Sequence, residues 1–326
     1  MKVKTAGAAR TLLPQLCFLF VLALMAGASE WLGEREIVFP EAAAIALGAL
    51  VAPRLAWNTD KVSIFLLIGI CACAGELIVY FLPLPLAWQL ICAYIVGQGV
   101  LLASGTTFAP LISAAVLPVL LQTRTPVYLA AALGITLLVL LLRMGLEALG
   151  MRPRELFVPR RPAAGEAAAV TARTLFAALL ALVGVGMGAP YLACPPLLVA
   201  FTEFTRPGSR AMRAPARAAA FLALCGGVGA LARGLLCAAL GLPLALAALL
   251  AGLAVLALAH WQQMLLPPAA ALAVLALLVP ESALALYPVQ AACAAALYAA
   301  FARLFAAVRP APAFRAGAPL ALAPRS

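Results

Sequence analysis

Residues 194–221, CPPLLVAFTEFTRPGSRAMRAPARAAAF, contain the structural unit from which we predict the fold of this chain. It opens with two prolines, which suit the first turn of a helix, and continues as a short apolar segment. Four arginines follow at positions 206, 210, 213 and 217, around the start of a long apolar run. A cluster of cations in a short loop is typical of the cytoplasmic surface of a membrane. The unit is therefore a short proline-led helix, a cationic turn and a long helix.

Composition sets the class of protein. The chain of 326 residues is 66% hydrophobic and 10% charged, with a mean hydropathy of +1.11. Such a chain cannot hide its apolar surface in a soluble core, and its Leu/Ala-rich runs favour helices, so we expect an all-α, polytopic helical membrane protein. The net charge of +11 lies mainly in loops, where it faces anionic lipid, and we expect no nucleic-acid partner.

The chain reads as two similar halves of six apolar segments. The segments lie near 11–28, 37–53, 62–82, 86–104, 106–121 and 127–148, and again near 168–188, 191–204, 217–240, 243–260, 264–280 and 283–307. Pro85 matches Pro243 and Pro110 matches Pro268 at one offset (243 − 85 = 158; 268 − 110 = 158). This predicts about 10–12 spans in two parallel repeats, 1–149 and 168–308, with a cytoplasmic linker at 150–167 and a cytoplasmic tail at 309–326.

The amino terminus has two interpretations. Lys2, Lys4 and Arg10 precede an apolar run that ends in small residues, as in a cleavable signal peptide. The alternative is a retained first span, which the matching segment of the second half favours.

Charge orients the predicted spans. Lysine and arginine cluster in alternate loops, so the positive-inside rule places both termini and the linker in the cytoplasm and the protein in the plasma (inner) membrane. A rival arrangement makes the short segments re-entrant.

The short segments are the predicted transport pathway. Proline-interrupted short spans at matched places in two halves free backbone groups that can bind a solute, although the prolines could equally cap or kink packed helices. The candidate residues are Pro40, Glu41, Pro110, Pro195, Pro196, Glu203, Pro267 and Pro268 on or beside these segments, Glu76, Gln98 and Arg233 within long spans, and Arg213 and Arg217 in the cationic turn. The 158 offset places Glu76 next to the equivalent of Arg233, so opposite charges are expected at nearly one depth.

No pattern for catalysis or metal binding is present in the sequence. The single histidine, His260, and eight scattered cysteines lack the spacing that a metal or redox site needs, and no nucleotide-binding or hydrolase motif occurs. We therefore expect no enzyme activity, cofactor or metal.

The second half resembles the HPP family of integral membrane proteins. Pro195, Pro215, Arg217, Pro267 and Pro268 carry the resemblance, and the first half looks like a diverged copy with Pro40, Glu41, Trp57 and Pro110 in the corresponding places. Leu266 stands where the family has the histidine of its His-Pro-Pro motif. The resemblance implies a helical membrane protein and, by analogy with members assigned to nitrite, transport of a small anion between the two repeats.

Two alternatives remain open at this point. The run LFAALLALVGVGMGAPYLACPPLLVAF is also similar to fusaric-acid-resistance type exporters of aromatic acids, which usually carry a sizeable cytoplasmic domain. A membrane scaffold or assembly factor is the alternative outside transport. The sequence does not name the solute, the coupling ion or the oligomeric state, for which a monomer and a homo-oligomer are both open.

Overall fold

A computed structural model describes residues 2–160 and 165–308, and within them the chain is helical, without strands. Eight helices are long and apolar enough to cross a membrane: α1 (Lys2–Leu32), α3 (Lys61–Phe81), α4 (Leu86–Ser104), α6 (Val127–Ala148), α7 (Glu166–Gly186), α10 (Pro215–Ala232, continued as a π-helix to Ala239), α11 (Leu244–Trp261) and α14 (Tyr287–Val308). The predicted helical membrane class is confirmed.

Four short proline-led helices form the centre of the bundle. They are α2 (Pro40–Ala46, continued as a π-helix to Val51), α5 (Pro110–Leu121), α8 (Pro195–Thr205) and α12 (Pro267–Leu275). Their residues are almost entirely buried, whereas the long helices expose leucines and isoleucines on their outer sides. The long helices therefore form the lipid-facing shell. Two further helices of four residues each, α9 (Arg210–Arg213) and α13 (Glu281–Leu284), belong to the connections between segments.

Each short helix connects the two ends of the bundle. At one end, which we call the linker face, the loop after α2 bonds the loop before α5 through Asn58 N and Thr107 Oγ1 at 2.8 Å. At the other end, the opposite face, Gln122 after α5 bonds Gln89 near the start of α4 at 2.7 Å. α5 therefore runs from the linker face to the opposite face. Contacts of the same kind place the ends of the other three short helices at the two faces, so each short helix runs from one face of the bundle to the other.

Arginines satisfy the carbonyl groups that the short helices leave inside the bundle. A helix leaves its last four carbonyls without helical partners, and a short helix leaves them far from water. Arg143 donates to Ala49 O at 2.6 Å at the end of α2. Arg35 donates to Leu278 O at 2.7 Å beyond the end of α12, and Arg233 donates to Ala276 O at 2.9 Å. These side chains thus act as C-terminal caps.

The same contacts recur in both halves. Tyr128 at the start of α6 donates to Ala114 O of α5 at 2.9 Å, and Tyr287 at the start of α14 donates to Leu272 O of α12 at 2.5 Å. Gly75 and Gly229 each let a long helix touch the backbone of a short one, at Ala115 O and Ala273 O. These pairs describe one packing arrangement used twice, in the same direction along the bundle axis.

The offset between equivalent residues of the two halves changes along the chain. It is 155 through the first two segments (188 − 33 for Gly33 and Gly188, both with positive φ) and 154 within the third segment (229 − 75 for Gly75 and Gly229). It is 158 from α4 through α12 (263 − 105 for Gly105 and Gln263, also both with positive φ) and 159 at the start of the last segment (287 − 128 for Tyr128 and Tyr287). The change from 154 to 158 occurs in the third segment, which has 21 residues in the first half and 25 in the second.

The halves interlock through exchanged first segments. α1 packs against α11 of the second half, and α7 packs against α4 of the first half. α2 packs against α12 and α8 against α5, which places the short helices at the interface between the halves.

The linker and tail are described in part. α7 begins at Glu166, two residues before the predicted boundary of 168. Linker residues bind the linker face: Glu155 Oε1 accepts from Leu55 N at 3.0 Å and Val158 O accepts from Asn58 Nδ2 at 2.8 Å. The predicted tail, 309–326, lies outside the described residues.

Candidate functional site

A buried arginine joins the two halves. Arg173 lies two turns into α7, and its side chain points into the bundle with 6% of its surface exposed. Its Nη2 donates to Gln98 Oε1 of α4 at 2.9 Å, and its Nη1 donates to Thr205 Oγ1 of α8 at 3.0 Å. The guanidinium is therefore held by neutral groups from both halves of the chain.

Gln98 connects this arginine to a wider polar cluster. Because a guanidinium can only donate, the Gln98 side chain must direct its oxygen at Arg173 and its nitrogen away from it. The nitrogen donates to Tyr94 Oη at 2.8 Å and to Thr202 Oγ1 at 3.0 Å. We call Tyr94, Gln98, Arg173, Thr202 and Thr205 the Arg173 cluster.

Among the described residues, no carboxylate lies within ion-pair distance of Arg173, and Glu166 at the start of α7 acts on its charge from farther away. The ion pairs among the described residues join Lys61 and Arg143 to Glu147, and Arg206 to Glu203. Arg173 Nε is buried and has no hydrogen-bond partner. A charge left alone inside a membrane costs about 2.5–3.5 kcal/mol on insertion scales. A small anion beside Nε would neutralise the charge and satisfy the donor.

A narrow apolar crevice lies beside the cluster, between α4 and α7. Tyr94 belongs to both features, and Ala177 and Ala181 line the crevice one and two turns beyond Arg173 on α7. Small side chains at these positions leave space between the helices, on the side of Arg173 that faces away from the linker face.

The equivalent interface on the other side of the molecule is apolar. The offsets relate Arg173, Thr202 and Thr205 to Phe18, Leu47 and Leu50, and Gln98 and Tyr94 to Leu256 and Gly252. The equivalence is supported by contact, since Phe18 lies against Gly252 just as Arg173 lies in the cluster of Tyr94. Phe18, Leu47 and Leu50 are fully buried. The fold thus forms this interface without polar groups, so packing does not require the Arg173 cluster.

A second buried polar pair lies on the short helices. Glu41 of α2 is 1% exposed, and its Oε1 accepts a hydrogen bond from Ser113 of α5. Its other oxygen, Oε2, is buried without a partner. The equivalent residues in the second half are Pro196 and Ala271, so this pair is also absent from its counterpart.

Several predicted candidates have structural roles. Glu76 Oε1 accepts from Leu129 N at 3.1 Å and so caps the start of α6. Arg233 caps α12, as described above. Both lie toward the opposite face, but they are not at neighbouring positions of the repeat, because Gly75 corresponds to Gly229 at an offset of 154 and Glu76 therefore corresponds to Ala230. The four additional residues in the third segment of the second half explain why the 158 offset misaligned them.

The other candidates lie on the short helices or in the cationic turn. The prolines at 40, 110, 195, 196, 267 and 268 occupy first-turn positions of the four short helices, where a missing backbone donor costs nothing. Glu203 is buried and pairs with Arg206 at 2.5 Å at the linker face. Arg213 and Arg217 are exposed there, outside the Arg173 cluster.

Of the Arg173 cluster, the sequence identified Gln98 alone. Arg173 stands close to the start of an apolar segment, where an arginine usually flanks the membrane. Its depth depends on where α7 begins, seven residues earlier at Glu166 (173 − 166 = 7). The offset of 155 aligns Arg173 with Phe18 of the first half. An arginine in one half at the position of a buried phenylalanine in the other would have marked Arg173 as unusual.

Comparison of the chain with protein-family models, curated proteins and solved structures found no match. Among the described residues there is no group of three or more histidine, cysteine or acidic side chains that could hold a metal ion.

Proposed function

We infer that the protein is a membrane transporter for a small anionic solute that binds at the Arg173 cluster. The observation that carries this proposal is the buried Arg173 guanidinium, which among the described residues has no carboxylate within ion-pair distance and no hydrogen-bond partner for its Nε. Intramembrane charges of this kind mark solute pathways. The HPP resemblance, with members assigned to nitrite, supports the same class of solute.

The chemistry of the cluster favours a small oxyanion with one negative charge. Arg173 supplies a single positive charge, and a planar guanidinium matches the oxygen atoms of such an anion with two parallel hydrogen bonds. Thr202 and Thr205 can rotate their hydroxyl groups to donate to the solute.

The position of the cluster suits alternating access. α4 belongs to the first repeat, and α7 and α8 belong to the second. A rocking motion of one repeat against the other would open the cluster to either face in turn, as in other transporters built from repeats.

Flux into liposomes tests the proposal. Purified protein is reconstituted and assayed with nitrite, nitrate and chloride under an imposed gradient. We expect flux for the wild type, and a reduction of about tenfold or more for Arg173→Leu, since hydrogen bonds to charged groups contribute about 1.5–3 kcal/mol. Arg173→Lys keeps the charge but loses the planar fork, and it should fall between the two.

The control variant is Arg213→Gln, which removes an exposed arginine of the cationic turn. It should retain wild-type flux. No flux above empty liposomes for any of these anions, from folded wild-type protein, would contradict the transport proposal and favour a scaffold.

The orientation is part of the same proposal. The linker face carries Lys61, the linker arginines and the cationic turn, so we place it in the cytoplasm of a cell with a plasma (inner) membrane. A cysteine at the exposed position of Arg210 should react with a membrane-impermeant maleimide in inverted vesicles and not in intact cells. The wild type, with its eight native cysteines, gives the background.

A further inference from the structure

Glu41 is a buried carboxyl group that the anion site does not use. It lies in the first turn of α2, 1% exposed, inside the core formed by the short helices. Ser113 of α5 donates to Oε1, while Oε2 is buried and has no partner. A single hydroxyl donor leaves the group half satisfied.

Among the described residues, no cation faces Glu41 from the elements around it. α6 contributes Tyr128, whose hydroxyl donates to Ala114 O, and Arg143, which binds Ala49 O at the far end of α2. α12 carries no titratable residue, and α1 contributes the sulfur of Met25, which accepts from Phe39 N beside Glu41 in the sequence. Cys194, which precedes α8, lies within electrostatic range of Glu41.

An ionised carboxylate in this position would be an unpaired charge in the membrane core. Such groups either gain a counter-charge or take up a proton. A proton on Oε2 removes the charge and turns the unpartnered oxygen into a hydroxyl donor. Because the equivalent residues Pro196 and Ala271 are apolar, the fold does not need the pair for packing.

We propose that Glu41 is the proton-binding site of the transporter and that its proton crosses the membrane together with the anion bound at Arg173. This inference rests on the transport function proposed above. The helix α8 connects the two sites, since Cys194 at its start lies near Glu41 while Thr202 and Thr205 at its other end belong to the Arg173 cluster.

The transport step balances in charge. The Glu41 carboxylate forms an O–H bond with a proton from the water on one face, and that bond breaks when the proton leaves to the other face. One proton and one monovalent anion together carry no net charge, so the coupled step does not respond to membrane voltage. An anion alone would respond.

Nitrate flux into liposomes tests the coupling, because nitric acid is too strong an acid for the neutral molecule to carry protons across the lipid by itself. With voltage clamped at zero by potassium and valinomycin, an inward proton gradient of about two pH units should drive up to about a hundredfold accumulation in the wild type. Glu41→Gln should lose this accumulation while still exchanging nitrate between equal concentrations, since Arg173 is intact.

Glu76→Gln is the matched control, because it also neutralises a buried carboxyl group yet keeps the oxygen that caps α6. It should accumulate nitrate like the wild type. Nitrate transport that ignores the proton gradient in the wild type, or accumulation that persists in Glu41→Gln, would overturn the proposal.

Infrared difference spectroscopy separates this proposal from the transport function. In wild-type protein, pH titration should show the carbonyl stretches of all protonated carboxyl groups, and the spectrum of Glu41→Gln should differ by the loss of one such band while keeping those of the other carboxyl groups. A band without any anion flux would reject coupled transport while showing that the carboxyl takes up a proton. Flux without the band would reject Glu41 as the proton site and leave the anion site standing.

Discussion

Arg173 Nη2 donates to Gln98 Oε1 at 2.9 Å, and this bond joins the first helix of one repeat to the fourth segment of the other. The bond is present on one side of a molecule whose two halves repeat the packing of their helices. At the equivalent place, Phe18 and Leu256 provide apolar contacts instead. A feature present on one side alone serves something other than the common fold.

The first prediction replaces the Arg173 cluster by its apolar counterpart. The variant carries Arg173→Phe, Gln98→Leu, Tyr94→Gly, Thr202→Leu and Thr205→Leu, the residues found at the equivalent positions. We expect it to fold with a thermal midpoint no lower than the wild type, because well-packed apolar residues often equal or exceed buried polar networks in stability. Anion flux should be lost.

Size-exclusion chromatography and thermal unfolding in detergent check the stability, and liposome flux checks the activity. Aggregation or a clear fall in the midpoint would mean that the cluster holds the fold together.

The second prediction concerns the contact of α10 with α12. A Cβ at Gly229 would collide with the carbonyl of Ala273, whereas a Cβ at Gly227 would meet open space. Gly229→Ala should therefore lower the unfolding free energy by about 1–3 kcal/mol, the usual cost of overpacking. Gly227→Ala is the control and should change it little. Equal stability of the two variants in denaturant unfolding would refute the contact.

The third prediction concerns the arginine cap of α12. Arg233→Leu leaves the carbonyl oxygen of Ala276 without its side-chain donor, which should cost about 1–3 kcal/mol. Arg303→Leu removes an exposed arginine from α14 and should cost less. Thermal unfolding of both variants gives the comparison, and a larger loss for Arg303→Leu would count against the capping role.

The fourth prediction concerns the cationic turn. Arg213 and Arg217 are exposed at the linker face, outside the Arg173 cluster, where a cation orients a membrane protein by its charge and not by the shape of its side chain. Arg213→Lys and Arg217→Lys should therefore leave anion uptake unchanged. A marked loss in either variant would mean that its planar guanidinium binds the solute directly.

Sequence patterns predicted the short helices well, because proline favours the first turn of a helix whatever its tertiary contacts are. Pro40, Pro110, Pro195 and Pro267 each occupy the first turn of a short helix, a preference fixed by the missing backbone donor. Contacts between residues far apart in the chain have no comparable local sequence signal. That Ser113 would meet Glu41, 72 positions away in the chain, depends on how α5 and α2 pack.

Arg173 shows a second limit. Charge in a sequence indicates a loop or a membrane edge by default, and depth depends on where the helix begins and which side faces the core. The residue offset of a repeat could supply part of that information, provided the four-residue difference in the third segment is recognised.

The position of a bound anion in a crystal shows whether Arg173 forms an anion-binding site. Bromide is a monovalent anion whose anomalous scattering locates it in crystals of the purified protein. We expect a bromide peak within hydrogen-bonding distance of Arg173 Nε in the wild type and no such peak in the Arg173→Leu variant. Peaks confined to the exposed arginines of the linker face, with none beside Arg173, would contradict it.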